Sequence, residues 1–146
     1  FPDGRIDYTE AALVAVVNVF VEYGGKILLL KRSGIVGDYK EKWNAISGYF
    51  DELIPPRDMG LKELKEEIGL KDSDIKETTL GKLSIFTDKN IGKTWIICPI
   101  LVKLNRKPKI KLDGEHSEYK WISPEELGKF DFIPMLDQTL KNALRG

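Results

Sequence analysis

GYFDELIPPRDMGLKELKEEIGL, residues 48–70, is the stretch that decides how this chain folds. Its second half has helical spacing. Leu61, Leu64 and Ile68 recur three and four residues apart, an apolar stripe that can anchor a helix to a core. Beside that stripe stand three glutamates. At about 100° of turn per residue, Glu66 lies roughly 60° to one side of Glu63 and Glu67 roughly 40° to the other, so all three carboxylates share one face. Like charges this close repel, and cations relieve the repulsion. Oxygen ligands of this kind suit Mg²⁺ or Mn²⁺ better than zinc. Together with the glycine turn at Gly48, they predict a divalent-metal site for diphosphate chemistry. Taken alone, the helix has a competing reading as a solvated surface, with Lys62 paired to Glu66 and Glu67 to Lys71.

The upstream context separates the two readings. Residues 48–70 resemble the Nudix box: glycine, five residues, glutamate, seven residues, arginine-glutamate, an apolar residue, any residue, two glutamates, any residue, glycine, an apolar residue. Gly48, Glu63, Leu64, Glu66, Glu67, Gly69 and Leu70 stand at its spacings. A pattern this long is far more specific than a lone glycine motif. Two positions depart from it, Ile54 in place of the loop glutamate and Lys62 in place of the arginine. The resemblance implies that this pair braces the loop against the helix, while the helix glutamates hold metal. Losing both members leaves no unpaired charge behind. Pro55-Pro56 offers another stiffener, and Asp51 and Glu52 are loop acids able to supply a replacement carboxylate.

Composition is consistent with one domain over residues 1–146. The hydrophobic content of 42% can fill a substantial core. Lys plus Arg and Asp plus Glu both number 23, so no global field favours nucleic acid or an anionic membrane. With one cysteine, Cys98, there is no internal disulfide, which fits a reducing compartment. The apolar runs are too short to span a bilayer, and the start lacks a basic leader with an apolar signal segment. A cytoplasmic protein is expected. Because residue 1 is Phe, native sequence is expected ahead of it.

Along the chain, apolar residues 11–23, Gly24-Gly25 and residues 26–31 predict a hairpin of two core strands. Residues 43–49 read as a short strand entering the glycine turn, and 57–68 as the box helix, stopped by Gly69. Strands follow at 79–87 and 94–103, separated by a turn at 88–92, and another at 118–122. Ser123-Pro124-Glu125-Glu126 is a capping box with proline at the first helical position, and Pro134 opens a last amphipathic helix reaching Leu144.

The resemblance covers nearly the whole chain. It implies an α/β fold, an α/β/α sandwich with a mixed β-sheet between helices, and a metal-dependent hydrolase acting on a nucleoside diphosphate linked to another group. Glu63, Glu66 and Glu67 are the expected metal ligands and water-activating groups, with Mg²⁺ or Mn²⁺ as cofactor and the backbone of Ser47 or Gly48 as a further ligand. In the family, an acid just before the last sheet strand often completes the site. Glu115 is the candidate here and Glu118 the second. His116, the single histidine, rules out a histidine-rich zinc site and reads as a loop residue without catalytic duty.

For substrate, Lys31 and Arg32 can receive phosphate, and Trp43, Tyr49 and Phe50 can stack on a base. Phe86 and Trp95 read more naturally as core. Nucleotide sugars, dinucleotides, nucleoside triphosphates and RNA 5′ ends stay open as substrates, and a homodimer stays open as a partner. Two other functions compete. One is a Nudix-like binding module without turnover. The other, well below it, is an allylic-diphosphate isomerase, which needs an acid–base cysteine that Cys98, mid-strand before Pro99, does not resemble.

Overall fold

The computed structural model describes residues 13–34, 39–50 and 53–145. Asp51 and Glu52, expected as spare loop acids, lie outside the described residues, as does the start of the first expected strand. The strands are β1 (Leu13–Tyr23), β2 (Lys26–Arg32), β3 (Trp43–Asn44), β4 (Ile46–Tyr49), β5 (Ile75–Leu80), β6 (Ser84–Asp88), β7 (Lys93–Leu104) and β8 (His116–Ile122). The helices are α1 (Pro56–Ile68) and α2 (Leu136–Arg145).

Gly24 and Gly25 turn the chain between β1 and β2 with φ of 60° and 80°, as a two-residue hairpin with left-handed central residues requires. The hairpin holds for only two cross-strand pairs, Glu22 with Ile27 and Tyr23 with Lys26. Beyond them the strands part. β1 runs parallel to β7 from Leu13 opposite Thr94 to Glu22 opposite Lys103, and its other edge takes β4, with Gly48 opposite Val17 and Tyr49 opposite Val16. β2 pairs instead with β3 and β8. One parallel pair among antiparallel ones makes the sheet mixed.

Alternation along the strands sorts side chains into two layers. Val17, Val19 and Val21 of β1 and Cys98, Ile100 and Val102 of β7 pack with Met59, Leu64 and Ile68 of α1. Phe20 and Leu101 face the other way, with Ile27, Leu29 and Trp43, against Leu136, Leu140 and Ala143 of α2. This is the expected α/β/α sandwich. Each fully buried aliphatic side chain contributes about 1.5–3 kcal/mol, so the apolar stripe of α1 is what fixes its acidic face to the sheet. Gly69 closes α1 at φ 70°, its N–H donating to the Lys65 carbonyl oxygen at 3.2 Å.

Two local expectations are corrected. The strand expected over 79–87 is two strands. Pro99 of β7 accepts a hydrogen bond from Gly81 N–H at 2.8 Å on that edge. Its missing N–H therefore falls on the same edge, and the ladder breaks there. The strand expected over 43–49 is interrupted at Ala45, whose N–H is captured by the Asn44 side chain at 2.8 Å. The capping box expected at Ser123 forms, with Ser123 N–H bonded to Glu126 Oε1 at 2.9 Å and Pro124 opening a short 3₁₀ helix, Pro124–Lys129. No helix of the described residues is long and apolar enough to cross a membrane.

Candidate active site

Three segments build the site. Gly48 opposes Val17, so the position where its Cβ would be faces α1, and an atom there would overlap the Glu63 side chain. The glycine of the motif is therefore where β4 meets the helix carboxylates. One turn on, Glu67 is buried at 5% exposure. The third segment is the turn before β8. Lys111 N–H donates to the Ile68 carbonyl oxygen at 3.1 Å and Asp113 N–H to that of Glu67 at 3.2 Å, docking this turn on the last turn of α1.

That docking brings two further polar side chains to Glu67. His116 Nε2 lies 3.5 Å from Glu67 Oε1, and His116 Nδ1 lies 2.8 Å from Asp113 Oδ1. The nearest ligand atoms of Glu67, Asp113 and His116 all fall within 4.8 Å of one another. Burial drives the Glu67 carboxyl well above the ordinary glutamate range. The neighbouring Glu63 adds to this by hydrogen bonding and by charge, and Asp113 and Glu115 add by charge. Glu67 Oε2 is buried with no hydrogen-bond partner. An orphaned oxygen in so negative a setting fits a bound cation, which would satisfy it and lower the repulsion together.

The structure thus brings Glu63 and Glu67 together beneath Gly48, while Glu66 is exposed beside them. Glu115 is exposed, and its charge acts on Glu67. Glu118 is engaged elsewhere, 3.8 Å from Lys31 in an exposed ion pair. Arg32 ends β2 opposite His116. Trp43 is a correction among the stacking candidates. Its ring lies in the α2-side core with its centroid 5.2 Å from that of Phe130, edge to face. Phe50 and Ile54 pack against the α1-side core. Tyr49 is 38% exposed and stacks on Trp95, ring centroids 6.5 Å apart and planes 18° from parallel. Trp95, expected as core, lies outside both core clusters, and its indole N–H is buried without a partner. Cys98 is buried under α1, where desolvation raises its thiol pKa, which leaves no acid–base cysteine at the site.

Sequence reasoning passed over Asp113 and discounted His116. The signal available was Asp113-Gly114-Glu115-His116, an acidic turn immediately ahead of a strand. Only the backbone bonds to α1 show that it reaches Glu67.

A sequence profile of the NUDIX domain matches residues 1–143. The chain belongs to the Nudix family. Membership supports the coarse chemistry of hydrolysis at a pyrophosphate linkage. A MutT NUDIX hydrolase from Burkholderia pseudomallei is similar in structure, with TM-score 0.74 at 20% identity over 89% of this chain and 97% of the other. So is a MutT protein from Methanosarcina mazei Go1, with TM-score 0.74 at 22% identity over 93% and 96%. A C. elegans Ap4A hydrolase gives TM-score 0.67 at 21% identity over 90% and 94%. At these identities the likeness shows the Nudix fold. No curated protein matched the chain.

Proposed function

We infer that this Nudix chain is a metal-dependent diphosphohydrolase acting on a small nucleoside diphosphate linked to another group. The observation that carries the reading is Glu67, a buried carboxyl with a partnerless oxygen, set among Glu63, Asp113 and Glu115. Glu63, Glu66 and Glu67 would hold Mg²⁺ or Mn²⁺, with the Gly48 backbone beside them. A cation bound there neutralises phosphate charge and acidifies a water.

The chain's own groups then divide the work. Glu63 and Glu67 concentrate negative charge on the α1 side of β4. Gly48, having no Cβ, lets the Glu63 carboxylate lie against β4, where any other residue would displace it. Tyr49, the next residue, points to the opposite side of the sheet and with Trp95 offers an aromatic surface for a base. Substrate would therefore lie across the end of β4, phosphates on one side and base on the other. A cytoplasmic setting and action as a monomer or homodimer are compatible with this reading.

The test is a panel of nucleotide sugars, dinucleotides, nucleoside triphosphates and RNA 5′ ends, with Mg²⁺ and with Mn²⁺, scoring phosphate after a coupled phosphatase. Turnover of at least one class, lowered by about 10² or more in Glu67→Gln, is expected. Tight binding without cleavage anywhere in the panel would replace the enzyme by a binding module, which the altered Ile54 and Lys62 brace would then explain.

A further inference from the structure

Hydrolysis by the helix glutamates leaves the imidazole of His116 unused. Its side chain is 5% exposed, and its two nitrogens face two different carboxylates. A neutral imidazole carries one proton. The 2.8 Å contact to Asp113 places that proton on Nδ1, as donor to Oδ1, and turns the Nε2 lone pair toward Glu67 Oε1. At 3.5 Å the nitrogen and the oxygen are too far apart for a good hydrogen bond, whichever of them carries a proton, and a cation between them fits that gap. A second ring proton would also leave Oε2 of Glu67 buried and unsatisfied. A metal cation can serve the nitrogen and the carboxylate together.

The scaffold for such a ligand is in place. Asp113 N–H is held by the Glu67 carbonyl oxygen, and His116 opens β8 opposite Arg32, so the ring is tethered from both α1 and β2. Asp113 Oδ1 also accepts Glu115 N–H at 3.2 Å, which fixes the carboxylate that orients the ring. An imidazole bonded through one nitrogen to a carboxylate, with the other nitrogen aimed at a cation, is the arrangement that fixes tautomer and raises ligand basicity in metal sites. His116 Nε2 and Glu67 Oε1, 3.5 Å apart, are spaced as two ligands about 2.0–2.2 Å from one ion are.

We propose that His116 is a nitrogen ligand of the divalent cation held by Glu67, with Asp113 as its positioning residue. The proposal rests on Glu67 as a metal carboxylate but not on hydrolysis. It makes the site mixed in donor type. Imidazole binds first-row transition metals in preference to the hard Mg²⁺, so the site favours Co²⁺ and Zn²⁺, and to a smaller degree Mn²⁺, over Mg²⁺ more strongly than carboxylates alone would.

Mn²⁺ alone, added to the purified chain, tests this by pulsed electron paramagnetic resonance. Because the chain has one histidine, ¹⁴N echo modulation of imidazole type has one source. The expected result is modulation in the wild type that changes to a ¹⁵N pattern when histidine is ¹⁵N-labelled, a test that needs no variant. His116→Gln should lose the modulation and weaken Mn²⁺ binding about tenfold or more, with the Mg²⁺ Kd moving less than about threefold. Asp113→Asn should weaken Mn²⁺ while keeping the modulation. Stoichiometric Mn²⁺ binding without nitrogen modulation in the wild type overturns the proposal, even if the protein turns over substrate. Modulation without turnover leaves it standing and overturns the hydrolase reading instead.

Discussion

The Glu63 side chain occupies the space in which a Cβ on residue 48 would sit. The motif glycine is thus a matter of volume: its hydrogen is what lets a carboxylate lie against the strand. Gly48→Ala must displace either β4 or Glu63. Overpacking of this kind costs about 1–3 kcal/mol. Displacing Glu63 should also lower kcat by about 10². Thermal melting and steady-state kinetics of the one variant check both, and unchanged kinetics would mean that Glu63 is free to move without consequence.

Glu67 sets a pH dependence whose sign follows from its surroundings. In the unfolded chain its carboxyl ionises near about 4.3, whereas burial and its acidic neighbours hold it well above the ordinary range in the fold. Between those two values the folded state keeps a proton that the unfolded state releases. Without metal, this group's contribution is therefore fully present below the ordinary value and is lost as pH rises toward the raised one. Glu67→Gln should remove that loss. Melting in EDTA at pH 5 and pH 8 should show the variant gaining on the wild type at the higher pH, and adding Mn²⁺ should reverse the ranking by mass action.

Ile54 rests on the α1-side core where the family motif has a charged residue. Ile54→Glu should cost about 1–3 kcal/mol by urea denaturation, because a carboxylate would be set against apolar atoms. Adding Lys62→Arg should recover part of it, since a guanidinium pairs in two-pronged fashion and an ammonium does not. Strict additivity of the two changes would show that the positions do not meet.

Tyr49 and Trp95 give a prediction about substrate. Stacking on a base is worth about 0.5–1.5 kcal/mol beyond buried area, so Trp95→Ala or Tyr49→Ala should raise KM severalfold with little change in kcat. An equal fall in kcat would place the pair in transition-state contact instead.

Much of this was legible in the residues themselves. The Leu61, Leu64 and Ile68 stripe and the glutamates beside it specify α1 because helix periodicity is local. Gly24-Gly25 specifies its turn for the same reason. What escaped was non-local. Nothing in Thr79 or Ser84 signals that Pro99, on the strand between β1 and that edge, lacks the donor their ladder needs. Trp43 and Trp95 are alike in composition, yet one lies under α2 and the other beyond its reach, a difference set by register. Asp113 and His116 are 46 and 49 residues beyond Glu67 and meet it only through the backbone bonds of an irregular turn. Spacing rules carry no information about such a meeting.

The pairing of β4 with β1 has one more consequence. Only four residues, from Ile46 to Tyr49, set its registration. Consecutive side chains on a strand point to opposite sides. Sliding this segment by a single position would thrust the Tyr49 ring at Glu63 and carry the bare backbone of Gly48 to the aromatic side. Inserting or deleting one residue between Asn44 and Tyr49 should therefore abolish activity even in a chain that still folds. A length change in a surface turn such as Lys89–Gly92 should do far less.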